Sequence, residues 1–444
     1  MMDTMQVLDK DHFLTQFDRL ETELSGNGQA WVRDLRKRAF ARFEELGFPT
    51  SRTEDYRFTN VSGIAKHAFQ TVADGNAVLA ADDLRQAEIA FDSGIRKVFV
   101  NGHFAERLSR NEPLPRAVVC SNLADALQGD SAQAHLAEHA DFENQPFVAL
   151  NTAYFQDGGF IVIPPGTALE KPIYLVFVTG RDARTIASQP RNLIVVGKGS
   201  RLQLVEIYLG LEDHRYFTNA VTEIVAGEGS VIDHYKLQRE SLSAYHIAAT
   251  RVSLERGSNF KTHYLSLGGG LVRNEVRIRF DAEGSEATVN GLYLAGGTQH
   301  IDNFTVIDHA QPRCASHELY KGILDGKAHG VFNGKIFVRQ DAQKTDAKQT
   351  NKVLLLSEDA TINTKPQLEI FADDVKCTHG ATVGQLDAEA LFYLRSRGIG
   401  LGEARGLLTF AFANDIISRI EIGPLRAQME QYLMTRHMKM MNDE

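Results

Sequence analysis

The stretch of residues 373–380 contains the side chains best suited to chemistry. Its sequence is Asp-Asp-Val-Lys-Cys-Thr-His-Gly, with Cys377 and His379 two positions apart. Side chains two apart on a strand point to the same side, so a thiol and an imidazole would lie together there. These two ligand types suit iron or zinc. Two ligands cannot close a tetrahedral site, so a metal or cluster needs further donors from distant residues or from a second subunit. An ordinary pair of strand residues is the alternative.

Three other groups have residue types and spacings found at known sites. They are the pair Cys314 and His317, the set His135, Glu138 and His139, and the acidic pair Asp302 and Asp308. We predict incidental positions for the first, a polar surface helix for the second and turn caps for the third. Paired carboxylates would instead indicate a polysaccharide-cleaving solenoid. The chain has no Gly-x4-Gly-Lys-Ser/Thr, Gly-x-Ser-x-Gly or His-Glu-x-x-His motif, so we predict that it is not a nucleotide hydrolase.

Length and composition indicate an ordinary globular protein. The 444 residues, of which 43% are hydrophobic and 24% charged, suffice for more than one folding unit. The 48 Lys and Arg against 57 Asp and Glu give a net charge of −9, so a nucleic-acid partner is not expected. Three widely spaced cysteines, Cys120, Cys314 and Cys377, favour a reducing compartment. Since the sequence has neither a secretory signal pattern nor a long apolar run, we expect a cytoplasmic protein with no membrane contact.

Residues 146–383 have the pattern of a β-rich core, in which short β-branched and aromatic runs alternate with polar residues and glycines. A Gly-Ser pair precedes four of these runs, at intervals of 30, 28 and 27 residues: Gly199-Ser200, Gly229-Ser230, Gly257-Ser258 and Gly284-Ser285. This even period favours a β-solenoid of stacked turns over a large β-sandwich. A second similarity relates Asn290-Gly291 to Asn333-Gly334 at 43 residues, and it predicts a drifting register in the later turns.

Regions of helical periodicity flank this core. The N-terminal region, residues 1–145, is predicted to be helical and mixed α/β, with two helices in residues 11–46, a hairpin at residues 97–102 and a helix over residues 121–139. Residues 384–444 are predicted to form a helical domain. Its second segment is apolar on more than one face, which indicates a protein partner.

Six stretches of the sequence match known motifs. They are residues 364–384, 392–399, 49–56, 151–158, 319–322 and 332–335. The longest contains Asp-Asp-Val-Lys-Cys-Thr-His-Gly. Together they resemble the SufB/SufD family of iron–sulfur cluster assembly proteins, and the resemblance covers nearly the whole chain. The SufD branch is the better match, because the SufB pattern has a cysteine directly after a glutamine, whereas Gln349 is followed here by Thr350.

The resemblance implies both a fold and a set of partners. The fold is mainly β with flanking α: a right-handed parallel β-helix between the N-terminal α/β region and the C-terminal helical domain. The function is that of a non-catalytic scaffold subunit for iron–sulfur cluster assembly. Such a subunit pairs with its paralogue SufB through the β-helix, or with itself when alone, and binds the ATPase SufC through its C-terminal helices.

The resemblance also implies which residues act. The nascent cluster of this family forms at the SufB interface, where His379, with Cys377 as the adjacent thiol, would meet it. The implied contacts with SufC lie on the C-terminal helices, at Phe392, Tyr393, Arg395, Arg397, Phe410, Phe412 and Ile416. No cofactor is expected on the chain alone, and reduced flavin is an expectation for the complex. A purely structural solenoid subunit, a SufB-like cluster carrier and a solenoid carbohydrate-active enzyme are the alternatives.

Overall fold

The chain winds into a parallel β-solenoid with helices on two faces. The computed structural model describes residues 13–22, 29–71, 79, 83–84, 93–180 and 185–442. The strands are β1 (Gln70–Thr71), β2 (Ile95–Val100), β3 (His103–Phe104), β4 (Val119–Asn122), β5 (Gly159–Ile163), β6 (Ile173–Thr179), β7 (Ile186–Ser188), β8 (Arg191–Val196), β9 (Arg201–Gly210), β10 (Phe217–Ala226), β11 (Val231–Arg239), β12 (Tyr245–Leu254), β13 (Asn259–Ser266), β14 (Leu271–Phe280), β15 (Glu286–Ala295), β16 (His300–His309), β17 (Ala315–Leu324), β18 (His329–Val338), β19 (Asp346–Leu355), β20 (Thr361–Ile370) and β21 (Lys376–Gly384). The helices are α1 (Ala30–Leu46), α2 (Ser62–Ala65), α3 (Leu123–Ala126), α4 (Pro146–Tyr154), α5 (Ala388–Ser396), α6 (Leu401–Ile417) and α7 (Gly423–Asn442). Residues 13–22 are also helical.

From β8 onward, the long strands alternate between two sheets. Sheet A runs in the order β4, β5, β8, β10, β12, β14, β16, β18, β20, with β1 and β7 beside it, and sheet B runs in the order β3, β2, β6, β9, β11, β13, β15, β17, β19, β21. Neighbouring long strands are parallel, and β12–β14 and β16–β18 pair along all ten residues. Each turn of chain therefore stacks on the previous one, as the repeat predicts, and the mainly β solenoid is confirmed. Strands β2 to β4, which precede residue 146, belong to the same two sheets.

The Gly-Ser pairs form one corner of successive turns. Their glycines have φ between 62° and 77°, a backbone region that glycine enters without steric cost. Each following serine is buried, and a strand of sheet B begins at the next residue. Arg313 and Lys344 occupy the same corner in later turns, with φ of 59° and 62°. The period thus continues, and the predicted drift is wrong: Asn290 lies in sheet B and Asn333 in sheet A.

Three layers of apolar side chains hold the solenoid and its helices together. The first fills the lumen between the two sheets. The second packs the N-terminal helices, including α1 and α4, on the outer face of sheet A, and the third packs α6 and α7 on the outer face of sheet B. The helical regions therefore cover opposite faces of the solenoid. Among the helices described here, none is both long and apolar enough to cross a membrane.

Most predicted elements of the N-terminal region are present. Residues 13–22 and α1 account for the two predicted helices, and residues 23–28 between them lie outside the described residues. The hairpin is β2–β3, in which Asn101 and Gly102 both have positive φ, as a tight two-residue turn requires.

The helix predicted over residues 121–139 is wrong beyond α3. The chain there folds into turns whose backbone N–H groups at Ala137, His139 and Ala140 donate hydrogen bonds of 3.0–3.1 Å to the buried Glu223 carboxylate. Because a buried carboxylate needs several donors, this tertiary contact overrides the local helical pattern.

Candidate functional site

The last turn of the solenoid is open on one side. Strands β20 and β21 end sheets A and B, and each pairs with a single neighbour among the strands that the structure describes. All but one residue of β21 are exposed, and the apolar Phe371 and Val383 expose 65% and 45% of their surface. A long edge strand presents its backbone N–H and C=O groups to another chain. This end of the solenoid is therefore a candidate pairing surface.

Cys377 and His379 lie on β21 with the orientation that the two-residue spacing predicts. They are in register with Ala347 and Gln349 of β19, both buried in the lumen. The thiol and the imidazole therefore continue the inward-facing side of sheet B to the point where the lumen opens. Cys377 is half-buried and packs on the lumen core, whereas His379 is exposed.

The two side chains alone do not form a metal site. Burial raises the pKa of the Cys377 thiol, against a backbone hydrogen bond that lowers it, and the charge of Asp346 raises it further. Over the described ranges, no group of three or more His, Cys, Asp or Glu is placed to hold a metal ion. The donor types still suit iron and sulfide. An iron–sulfur cluster at this edge would require donors beyond those that the described residues place there.

A row of inward-facing positions on sheet B, polar except at Val289, ends at His379. The inward-facing positions in register on β11, β13, β15, β17, β19 and β21 are His234, Thr262, Val289, Glu318, Gln349 and His379. His234 contacts Thr262 at 2.8 Å, and the Gln349 amide nitrogen donates to the Glu318 carboxylate at 2.6 Å. The sequence analysis did not find this row, since its members are about 30 residues apart and recognisable only once the register is known.

Burial has the largest influence on the pKa of the Glu318 carboxyl. It raises the pKa of this carboxyl to about 7, while hydrogen bonds with Gln349 and Thr305 lower it. The side chain is 3% exposed. A buried carboxyl of this kind stays in place only if its partners are fixed.

The Asn-Gly-Lys sequence of residues 333–335 has a structural explanation. A Cβ atom added at Gly334 would lie 2.2 Å from the Gln349 amide nitrogen, so any larger residue would force that amide to move. The next residue, Lys335, forms an ion pair of 2.6 Å with Asp55, and Glu54 pairs with Lys365 of β20 at 3.0 Å. The motif of residues 49–56 thus binds the outer face of sheet A near the open end.

The weaker candidate sites do not assemble. Cys314 is buried at the corner before β17, whereas His317 is exposed on the outer face of sheet B. Asp302 is buried and pairs with Arg273. Asp308 pairs with Arg339 at 2.8 Å. Both aspartates lie within β16, so the predicted turn caps are wrong, and each pairs with an arginine instead of forming a carboxylate pair.

The residues predicted to contact SufC divide into two sets. On and just after α5, Phe392 and Tyr393 expose 75% and 58% of their surface, and Arg395 and Arg397 are exposed. Phe410 and Phe412 of α6 are half-buried against the third apolar layer. Ile416 is fully buried there, which makes it an anchor of α6 on sheet B; as a contact for another protein it is wrong, because the chain itself covers it.

Two family descriptions together cover almost the entire sequence. Residues 8–175 match the SufBD protein N-terminal region, and residues 177–412 match the SufBD core domain of SUF system FeS cluster assembly. This chain belongs to the SufBD family. Its parallel solenoid, open end and motifs are therefore features of an iron–sulfur cluster assembly protein of the SufBD type.

Known SufBD relatives match along most of their length. An iron–sulfur cluster assembly SufBD family protein of Synechocystis is 36% identical, over 93% of each chain. The iron–sulfur cluster assembly protein SufD of Escherichia coli is 30% identical, over 86% of this chain and 88% of that protein. Protein ABCI7, chloroplastic, of Arabidopsis thaliana is 29% identical, over 95% of this chain and 90% of that protein.

Proposed function

We propose that this SufBD family member is a SufD-type, non-catalytic scaffold subunit that contributes His379, beside Cys377, to a cluster site shared with SufB. The observation that supports this most is the position of the pair. An exposed imidazole and a half-buried thiol lie on the uncovered last strand of the solenoid, where the described residues do not complete a metal site. The remaining donors come from the partner.

Pairing with SufB uses the edges of β20 and β21. The exposed Phe371 and Val383 flank these edges, so a second solenoid would bury apolar surface and satisfy backbone hydrogen-bonding groups in one step. In the absence of SufB, the same surface would bind a second copy of this chain.

Binding of SufC uses the C-terminal helices. Phe392 and Tyr393 supply an exposed aromatic patch, with Arg397 lying 5.3 Å over the Tyr393 ring. The half-buried Phe410 and Phe412 extend this surface along α6. Lys321 of β17 fixes α6 through an ion pair of 2.8 Å with Asp415 and a hydrogen bond to the Phe412 carbonyl, so a force on the helices reaches the solenoid.

The test of the cluster site is co-expression of this chain with SufB and SufC, followed by anaerobic purification. Wild type, His379→Ala and Thr378→Ala are compared by iron and sulfide content and visible absorbance. Thr378 is the matched control, since it is an exposed neighbour on the same strand facing the other side. We expect all three complexes to assemble and only His379→Ala to lose its cluster.

Other results would assign a different function. Failure of the wild-type complex to form contradicts the SufD-type assignment. A full cluster in the His379→Ala complex would leave a purely structural subunit, and a cluster on this chain purified alone would favour a SufB-like carrier. Flavin absorbance of the wild-type complex tests the expected reduced flavin.

The same complex tests the SufC surface. Phe392→Asp should remove SufC and leave SufB bound, because a charge replaces an exposed aromatic anchor. Leu242→Asp, which alters an exposed apolar residue between β11 and β12, should retain both partners. Retention of SufC by Phe392→Asp would exclude this surface.

The cellular compartment stays a prediction. The widely spaced cysteines favour a reducing compartment such as the cytoplasm, whereas the Arabidopsis relative is a chloroplastic protein by name.

A further inference from the structure

Gln349 is the side chain that adjoins His379 on the inner face of sheet B. The two residues are partners in the register of β19 and β21, and both occupy inward-facing positions. Gln349 is 1% exposed, and its side-chain oxygen is buried without a hydrogen-bond partner. Leaving such a buried acceptor without a donor is unfavourable, because its hydrogen bonds to water are lost and not replaced. The Gln349 side-chain oxygen is therefore free to accept a hydrogen bond, and His379 is the neighbouring residue on β21.

The orientation of the Gln349 amide is fixed from two directions. Its nitrogen donates to Glu318 on β17, which lies on one side of β19. The oxygen is thus turned away from β17, and the strand on the opposite side of β19 is β21. Across the lumen the amide packs on the bare backbone of Gly334, where even a methyl group would overlap it.

We propose that Gln349 is a positioning residue for His379: its side-chain oxygen accepts a hydrogen bond from one imidazole N–H, so that the other ring nitrogen faces the cluster. This inference rests on the proposed function. Histidine ligands commonly donate their second ring N–H to an oxygen, which fixes both the tautomer and the ring orientation. In this chain the proposed acceptor for the His379 N–H is the Gln349 amide oxygen. The Glu318 carboxylate holds that amide in place and does not itself contact the histidine.

The SufB–SufC complex described above provides the test, with Gln349→Met as the principal variant. Methionine has about the length of glutamine but no hydrogen-bonding oxygen. The control is Asn351→Leu, which removes another buried amide from the same strand, in register with Ala381. Cluster content, visible circular dichroism and the rate of cluster loss to an iron chelator are measured, with assembly of the complex as the folding check.

We expect Gln349→Met to assemble, to change the circular dichroism of the cluster and to lose the cluster about tenfold faster or more, since outer ligands typically affect metal affinity 10–100-fold. Asn351→Leu should behave as wild type. Equal loss in both variants, or wild-type retention and spectrum in Gln349→Met, would overturn the proposal. In that case a His379-dependent cluster in the wild-type complex would still support the proposed function, so the two failures are distinguishable.

A second variant tests the role of Glu318. In Glu318→Gln the new amide both donates and accepts, so it no longer dictates which end of the Gln349 amide faces β21. We expect cluster loss at a rate between wild type and Gln349→Met. This variant keeps the buried volume, so it remains informative if Gln349→Met fails to assemble. Loss at the wild-type rate would show that Glu318 does not orient the Gln349 amide and would overturn that part of the proposal.

Discussion

The two ends of the solenoid are closed by different means. At the first end the edge strands are short and antiparallel, β3 beside β2 and β4 beside β5, and helix α3 contacts both β4 and β5. At the last end the edges are the ten-residue β20 and the nine-residue β21. A short, covered edge does not attract other strands, whereas a long bare edge does. The chain's own short strands close the first end of the solenoid, whereas the long exposed strands of the last end can pair with a partner protein.

The largest expected effect concerns the buried ion pair near the first end. Arg191 and Glu223 are fully buried, 2.6 Å apart, and Arg191 also donates to Asn151 and Thr152. We expect Arg191→Met to lower the free energy of unfolding by about 3–5 kcal/mol, because it leaves a buried carboxylate without its cation. Urea unfolding of the isolated chain measures this.

The control is the exposed pair of Lys198 and Glu228, 2.9 Å apart. Lys198→Met should cost less than about 1 kcal/mol, as exposed pairs do. A similar cost for both variants would show that the first end is not held by its buried polar contacts.

The next effect compares one glycine from each end. A Cβ atom at Gly158 would lie 2.0 Å from the Arg191 carbonyl oxygen, whereas at Gly380 it would meet nothing within 4 Å. We expect Gly158→Ala to destabilise the chain by about 1–3 kcal/mol or more, because backbone must move. Gly380→Ala should change stability by less than about 1 kcal/mol. Thermal unfolding of both variants checks this, and a large cost at Gly380 would contradict an open last turn.

The smallest expected effect on stability accompanies a large effect on pairing. Val383→Lys places a charge on the exposed edge strand and should change the free energy of unfolding by no more than about 0.5 kcal/mol. It should weaken binding to SufB about tenfold or more, as loss of an interface anchor does. Titration with purified SufB measures this, and Leu242→Lys serves as the control. Unchanged binding in Val383→Lys would place the interface elsewhere.

The regular parts of this fold could be predicted from sequence, since they depend on local rules. The Gly-Ser period marked the corners because glycine alone enters positive φ at little cost, and Asn101-Gly102 marked the hairpin for the same reason. Cys377 and His379 could be placed on one side of a strand by alternation alone.

The remaining features depend on contacts between distant residues. The helix predicted over residues 121–139 does not form beyond α3, because the backbone N–H groups of its last residues donate hydrogen bonds to the Glu223 carboxylate. Ile416 looked like a surface contact because its helix is apolar on several faces, and only the docking on sheet B shows which face is covered. The sequence gives no indication that Gln349 positions His379, because that proposed role depends on the register of β17, β19 and β21 and on the space beside Gly334.

The ion pairs of Glu54 and Asp55 bear on the order in which the chain folds during synthesis. Their partners, Lys365 and Lys335, lie 311 and 280 residues further along the sequence, whereas the turns of the solenoid contact neighbours only about one turn away, as in other repeat proteins. The solenoid can therefore grow from the ribosome turn by turn. The segment that contains Glu54 and Asp55 can form these contacts only after β18 and β20 have been synthesised. Docking of this segment on the solenoid therefore requires that β20 is complete.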